Sequence, residues 1–335
     1  MKSVFLYTSP HNVHRAWAES INAIFIEDKI PQNALPNISR ALKSFSTIRK
    51  LPKSADLLLC ESSSNTLTGV LWKMKHPKTS IILIASDPKW GCLDKMPAIK
   101  RKFYYWMLSK YDLIIATSKM MKEKFPEKLQ ERIKIIQPFT DTKKFLAKKG
   151  NLNSKNIIYT GRISLEKGAD LVLEAFKIIK KEVKEAKLYF IGISSQLPGQ
   201  GDLRKILEKQ IKEEQIKDVI FTGHINNPEN YMEKCSILMS LARIDAANVS
   251  IAEAMCMGII PIASQGVGFK DVAGSLSKEL VVNNEKEAAF LVLKLWNSRQ
   301  KMQALSKKAV KIGAYYNKEN SVKAFKNAIT TMIKP

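Results

Sequence analysis

Short apolar runs alternate along the chain with stretches of helical periodicity. KSVFLY, NAIFI, DLLLC, SIILIA, DLIIAT and IKIIQ have the length and composition of strands, and the segments near His14–Ile21, Ile38–Leu51, Asn65–Lys75 and Ala98–Tyr111 between them have helical spacing. That alternation predicts a parallel, doubly wound α/β domain over residues 1–137. Residues 138–155, PFTDTKKFLAKKGNLNSK, interrupt it with polar, turn-forming residues and are expected to be a linker. The scheme then repeats over 156–312, with NIIYT, KLYFIG, DVIFT, ILMS, GIIPIA and ELVV separated by helices. Two Rossmann-like domains facing one cleft follow, because such sheets bind ligands outside the carboxyl ends of their strands.

Two stretches carry candidate chemistry. YTGRISLEKGADLVLEAF (159–176) places Arg162 and Lys167, each next to a glycine (Gly161 and Gly168), between a strand and a helix. A loop opening a helix offers free N–H groups and a positive dipole end, so an anion fits there, and the two cations strengthen the attraction. The alternative is a pair of solvated loop charges. It is not a P-loop, whose lysine directly follows the second glycine. DAANVSIAEAMCMG (245–258) puts Val249, Ala252, Glu253 and Cys256 on one helical face, with Gly258 as the stop. A carboxylate on so apolar a face needs hydrogen-bond donors. Asp245 precedes the same helix, where it either caps the helix or binds a ligand, and Glu253 either binds a ligand or pairs with a lysine.

Composition narrows the function classes. A chain of 335 residues with 45% apolar content supports two domains. No apolar run reaches the roughly 18 residues of a membrane span, and SVFLY is too short for a signal-peptide core, so a cytoplasmic protein is expected. Cys60, Cys92, Cys235 and Cys256 form no CxxC pair, which speaks against a zinc site or disulfide framework. Neither first βα loop has GxGxxG, so a nicotinamide dehydrogenase is not expected. The formal charge of +24 is uneven, with +15 over residues 1–150, +2 over 151–300 and +7 over 301–335.

GRISLEKG with its helix, the later DVIFTGHI, and DAANVSIAEAMCMGIIPIAS together resemble the nucleotide-sugar half of glycosyltransferase family 4, which has the GT-B fold. PFTD with Phe145 resembles the P-x-x-D-x-x-x-F closing that family's first domain. The likeness covers most of residues 100–300. It implies a retaining glycosyltransferase that takes a nucleoside diphosphate sugar and needs no metal or other cofactor, and no D-x-D signature occurs in the chain. Arg162 and Lys167 would neutralise the leaving diphosphate, as preorganised cations do for developing charge. Gly161, His224, Asn248 and Val249 would line the donor site, Glu253 would accept from ribose hydroxyls, and Asp245 would hold the sugar. On the acceptor side the candidates are Asp87 and the first-loop histidines His11 and His14, which either touch acceptor or donor or are structural or solvated loop residues. A final helix within 313–335 would return to the first domain.

The sequence departs from the family in three places. The first acid is Asp245 rather than glutamate, and the family's GFG is Ala246, Ala247 and Asn248, where asparagine's tolerance of positive φ would preserve the turn. The first loop, TSPHNVHR, lacks glycines, and SDPKW stands where a histidine is usual, so that Asp87 either takes over part of its role or opens a turn before proline. A nucleotide-sugar epimerase of the same fold and a non-catalytic polyanion-binding protein are the alternatives.

The basic first domain and final helix, with KMPAIKRKFYYWMLSKY (95–111) mixing Lys100, Arg101 and Lys102 with Phe103, Tyr104, Tyr105 and Trp106, suit an anionic membrane surface and a lipid-linked or glycolipid acceptor. The other reading of that segment is aromatic core beneath a solvated basic face. No nucleic-acid-binding motif accompanies the charge.

Overall fold

The computed structural model describes residues 1–8, 11–28, 44–197 and 201–333. The chain divides into two compact units, Met1–Phe139 with Lys318–Pro335, and Thr140–Asn317.

Among the described residues the first unit holds a six-stranded parallel sheet in the order β2-β1-β3-β4-β5-β6. Its strands are β1 (Ser3–Tyr7), β2 (Ile24–Glu27), β3 (Leu57–Glu61), β4 (Ser80–Ala85), β5 (Leu113–Ala116) and β6 (Ile133–Ile135). The central strands are buried on both faces, which is why they read as unbroken apolar runs. The first helix is Asn12–Glu19, earlier than expected, because His11 caps it by accepting from Val13 N–H. The helix expected near Ile38–Leu51 lies partly outside the described residues, of which 44–48 are helical.

The last helix, Lys318–Ile333, packs on the first helix: Phe325 stacks on Trp17 with centroids 5.5 Å apart, and Trp17 Nε1 donates to Ser321 Oγ at 3.0 Å. Ser321 Oγ in turn donates to the Gln137 carbonyl at 2.7 Å, securing the end of the first stretch of this unit.

The second unit has its own six-stranded parallel sheet, β11-β8-β7-β12-β13-β14, besides a small hairpin of β9 (Gln196–Leu197) and β10 (Gly201–Asp202). Its members are β7 (Asn156–Thr160), β8 (Lys187–Ile191), β11 (Val219–Gly223), β12 (Ile237–Ser240), β13 (Ile260–Ser264) and β14 (Val281–Val282). Residues 138–155 are not a free linker. They contain a helix, Thr142–Leu146, capped by the Asp141 side chain, and Phe145 is buried in the core of this unit.

Both sheets change winding direction once. The chain leaves β1 toward β2 on one side and β3 toward β4 on the other, so the first switch point lies between β1 and β3. In the second unit it lies between β7 and β12. Helix loops diverge at a switch point and leave a crevice beyond the strand ends.

The division also changes the charge expectation. The first unit has 27 basic and 12 acidic residues, a formal +15, and the second has 28 and 19, a formal +9. Most of the terminal +7 does not join the first unit, because the helix Arg299–Gly313 belongs to the second. No helix among the described residues is long and apolar enough to cross a membrane.

Candidate functional site

The crevice beyond β7 and β12 is built from backbone contacts that demand small residues. Gly161 N–H donates to the Ile191 carbonyl at 2.9 Å, and Gly192 N–H to the Gly223 carbonyl at 3.0 Å, which stacks the loops after β7, β8 and β11. A Cβ on Gly192 would lie 1.9 Å from the Gly161 carbonyl oxygen, so the two loops meet at a distance only glycine allows. Gly168 caps the helix Ala169–Glu182 in the left-handed region, at φ 67°.

The GRISLEKG loop is stapled to the loop after β12. Arg243 N–H and Ile244 N–H both donate to the Glu166 carbonyl, at 2.8 and 3.2 Å, and the Arg243 guanidinium grips Asp170 through two bonds of 2.8 and 2.6 Å. This brings Lys167 Nζ to 2.6 Å from Asp245 Oδ2, on a carboxylate only 4% exposed. The backbone of Asp245 is pinned as well, donating to the Gly266 carbonyl and accepting from Gly268 N–H.

Asn248 caps the helix Val249–Cys256 in the extended region, φ −84°, so the positive φ anticipated for this turn is not used. Its Oδ1 accepts from Ser250 N–H at 3.2 Å and its Nδ2 donates to Ser240 Oγ at 2.7 Å, which leaves Asp245 free of capping duty. Glu253, one turn in, is half-buried and accepts from Thr140 Oγ1 at 3.3 Å. Burial pushes its carboxyl up to about 7, against the pull of Thr140 and the Lys144 charge. Lys144 is not its ion-pair partner, since Lys144 Nζ lies 3.0 Å from Glu229 Oε2.

A cavity of about 280 Å³ opens here, lined by Gly161, Arg162, His224 and Glu253 among polar and backbone groups and by Ile191, Ile193, Ile225 and Pro228. The Arg162 side chain is exposed and has no charged partner among the described residues, while its carbonyl accepts from Tyr159 OH at 2.5 Å. Burial, followed by the charges of Asp245 and Asp170, pushes the Tyr159 hydroxyl far up, so it stays a donor. Lys167, Asp245, Asn248 and Val249 are not among the residues that line this cavity. Among the described residues no three His, Cys, Asp or Glu side chains gather so as to hold a metal ion.

His11, His14 and Asp87 belong to the first unit, at the carboxyl ends of its strands. Asp87 caps the 3-10 helix Pro88–Lys95, accepting from Lys89 N–H at 2.9 Å and from Ser63 Oγ at 2.5 Å, the turn-opening role. Arg243, Thr140 and Glu61 were missed by reading the sequence. No spacing announces them, because each acts on a residue far away in the chain.

The glycosyl transferases group 1 family model matches residues 141–312, just over half of the chain. Among curated proteins, the GDP-mannose:cellobiosyl-diphosphopolyprenol alpha-mannosyltransferase of Xanthomonas oryzae pv. oryzae is 25% identical over 53% of this chain and 47% of its own length. The poly(glycerol-phosphate) alpha-glucosyltransferase of Bacillus subtilis is 22% identical over 52% of this chain and 26% of its own. The chain thus matches about half the length, or less, of these relatives. Among solved structures, Anabaena Alr3699/HepE in complex with UDP and glucose superposes with a TM-score of 0.80 at 15% identity, covering 99% of this chain and 100% of that one. Sucrose-phosphate synthase from Thermosynechococcus elongatus gives 0.76 at 14%, covering 99% of both. With the matched residues spanning both the GRISLEKG loop and the Glu253 helix, on a GT-B fold, the chain belongs to the glycosyl transferases group 1 family.

Proposed function

We propose that the chain transfers a sugar from a nucleoside diphosphate sugar to an acceptor, with retention of configuration and without a metal. The observation that carries this reading is the convergence of Arg162, Glu253 and the stacked glycine loops on one cavity at the switch point of the second sheet. The cavity's isoleucines and Pro228 suit a flat base, and Glu253 offers acceptors to ribose hydroxyls. Arg162, which has no charged partner among the described residues, faces the diphosphate, and the helix N-terminus at Val249 adds its dipole. Lys167 turns from Asp245 toward the leaving diphosphate as its negative charge grows, which frees Asp245 to accept from sugar hydroxyls. These cations supply the neutralisation that a metal ion would otherwise provide.

The acceptor is lipid-linked in this reading, and the first unit docks on an anionic membrane. Support comes from the polyprenol named for the Xanthomonas relative and from the helix Ala98–Leu108. Ile99, Phe103 and Trp106 are 85%, 39% and 41% exposed on that helix, with Lys102 exposed beside them. Tyr104 instead packs into the core against Trp90. A thermal-shift panel of UDP, GDP and their sugars tests the donor reading: a true donor at a hundred times its dissociation constant adds about 2.7 kcal/mol. A panel with no shift would sink it.

A further inference from the structure

Thr140 opens the second unit and is 6% exposed. Both of its backbone groups are engaged within that unit. Its N–H donates to the Tyr316 carbonyl at 2.9 Å, and its carbonyl accepts from Thr142 N–H at 2.9 Å. The hydroxyl is therefore placed by the backbone, and among the described residues it has one hydrogen bond, to Glu253 Oε1 at 3.3 Å. That bond is also the one hydrogen bond of the Glu253 side chain among the described residues, so Oε2 is left to the cavity that Glu253 lines.

A glutamate side chain turns about several bonds, and on this largely apolar helix face Thr140 alone restrains it. Without a donor on one oxygen, the carboxylate would have to be ordered by the ligand itself, at a cost in affinity. Lys144 does not take the place of the hydroxyl, because its Nζ donates to the Asn226 carbonyl at 3.0 Å and pairs with Glu229 at 3.0 Å. The charges around Glu253 are few. Lys144, on the helix Thr142–Leu146, favours the charged carboxylate and Glu229 opposes it, while Arg162 and His224 line the same cavity and Cys256 lies on the same helix. Burial outweighs them and pushes the carboxyl up to about 7, and the Thr140 hydroxyl is the strongest of the influences that pull it down.

We propose that Thr140 is a positioning residue of the nucleotide site, its hydroxyl holding one oxygen of Glu253 so that the other is presented, already ordered, to the ribose of a nucleotide. That the ligand is a nucleotide rests on the function proposed above; the hold of Thr140 on Glu253 does not.

Calorimetric titration of the full chain with UDP and with GDP, from about pH 6 to about pH 9, tests this on the wild type, Thr140→Val and Thr140→Ser. Valine matches the shape of threonine and keeps both backbone bonds but has no hydroxyl, whereas serine keeps the hydroxyl. Nucleotide phosphates themselves titrate near about pH 6, so affinities are compared between variants at each pH. Thr140→Val should bind about tenfold more weakly at about pH 7, the value of one hydrogen bond. Without its donor the carboxyl titrates at higher pH, so this deficit should shrink toward about pH 9, where the group is charged in both proteins. Thr140→Ser should follow the wild type throughout. A deficit that stays constant across the range, or no deficit, would overturn the proposal, as would a serine variant that behaves like the valine one.

Urea titrations without nucleotide separate this from the donor reading. The stability that Glu253 contributes is lost as pH rises through its folded-state value, and in Thr140→Val that loss should extend to higher pH than in the wild type. If neither nucleotide binds the wild type, the donor reading falls, while a loss displaced upward in Thr140→Val still supports Thr140 as the residue that positions Glu253. Coinciding losses in the two proteins would overturn the proposal whatever the nucleotides do.

Discussion

Lys167 Nζ lies 2.6 Å from Asp245 Oδ2, joining the two loops that meet at the switch point of the second sheet. The sequence presents them as separate groups, one for a diphosphate and one for a sugar. In the folded protein they pair with each other, and Arg162 has no charged partner among the described residues.

Lys167→Ala should therefore cost both stability and turnover, whereas Arg162→Ala should cost turnover alone. The first strands a carboxylate 4% exposed, worth about 1–3 kcal/mol, while removal of an exposed unpaired side chain stays within about 0.5 kcal/mol. Each should lose roughly 10²- to 10³-fold in rate. Urea midpoints for the two variants decide the matter, and equal stability losses would contradict the pairing.

Glu253 makes the protein less stable as pH rises. Its carboxyl moves from the ordinary 4.5 to about 7 on folding, so between those values the native state holds a proton that the unfolded chain has released. Stability from this group is complete below about pH 4.5, declines through the interval and levels off above about 7. Glu253→Gln abolishes that decline, so relative to wild type it gains stability between pH 5 and pH 8 while weakening nucleotide binding. Paired urea titrations at the two pH values check this, and a gap that stays constant would show that Glu253 ionises normally.

Gly168→Ala should be among the most damaging single-methyl changes in the second unit. The added Cβ would lie 2.0 Å from the Leu241 carbonyl oxygen at φ 67°, and both partners are backbone. A loss above about 2 kcal/mol is expected, against about 1 kcal/mol for Gly201→Ala, which has positive φ but open space. Similar melting temperatures for the two variants would count against the close contact.

Ser62→Gly should leave the protein more stable than Ser62→Ala. Both lose the hydroxyl contact with Ser64, yet only glycine escapes the backbone strain, a difference of about 1–3 kcal/mol. Thermal melts of the pair give the answer directly, and an alanine variant as stable as the glycine one would remove the strain.

Vesicle co-sedimentation tests the membrane surface. With about 1 kcal/mol per basic residue near an anionic bilayer, binding should prefer anionic vesicles and fall steeply with salt. Replacing Ile99, Phe103 and Trp106 with serine should weaken it without unfolding the chain, since all three are exposed. Equal binding to neutral and anionic vesicles at low salt would refute the docking.

What the sequence by itself determined is the kind of each element and the loops that carry chemistry. Runs such as SIILIA and GIIPIA are apolar throughout because both faces of a parallel sheet are covered, and that signature is local. The glycines of GRISLEKG and the helix of DAANVSIAEAMCMG are equally local, since backbone geometry answers to neighbours a few residues away. Even there local readings misled: the turn residues of 138–155 suggested a linker, but Phe145 finds a core and Asp141 caps a helix. Which side chains meet was decided by the tertiary structure alone. Arg243 holds Asp170 across 73 positions, Thr140 reaches Glu253 across 113, and His14 reaches Glu61 across 47. Those encounters depend on strand order, which places β12 beside β7 and β3 beside β1. Strand order is set by how the crossover helices pack on the sheet, a property no short stretch of chain contains.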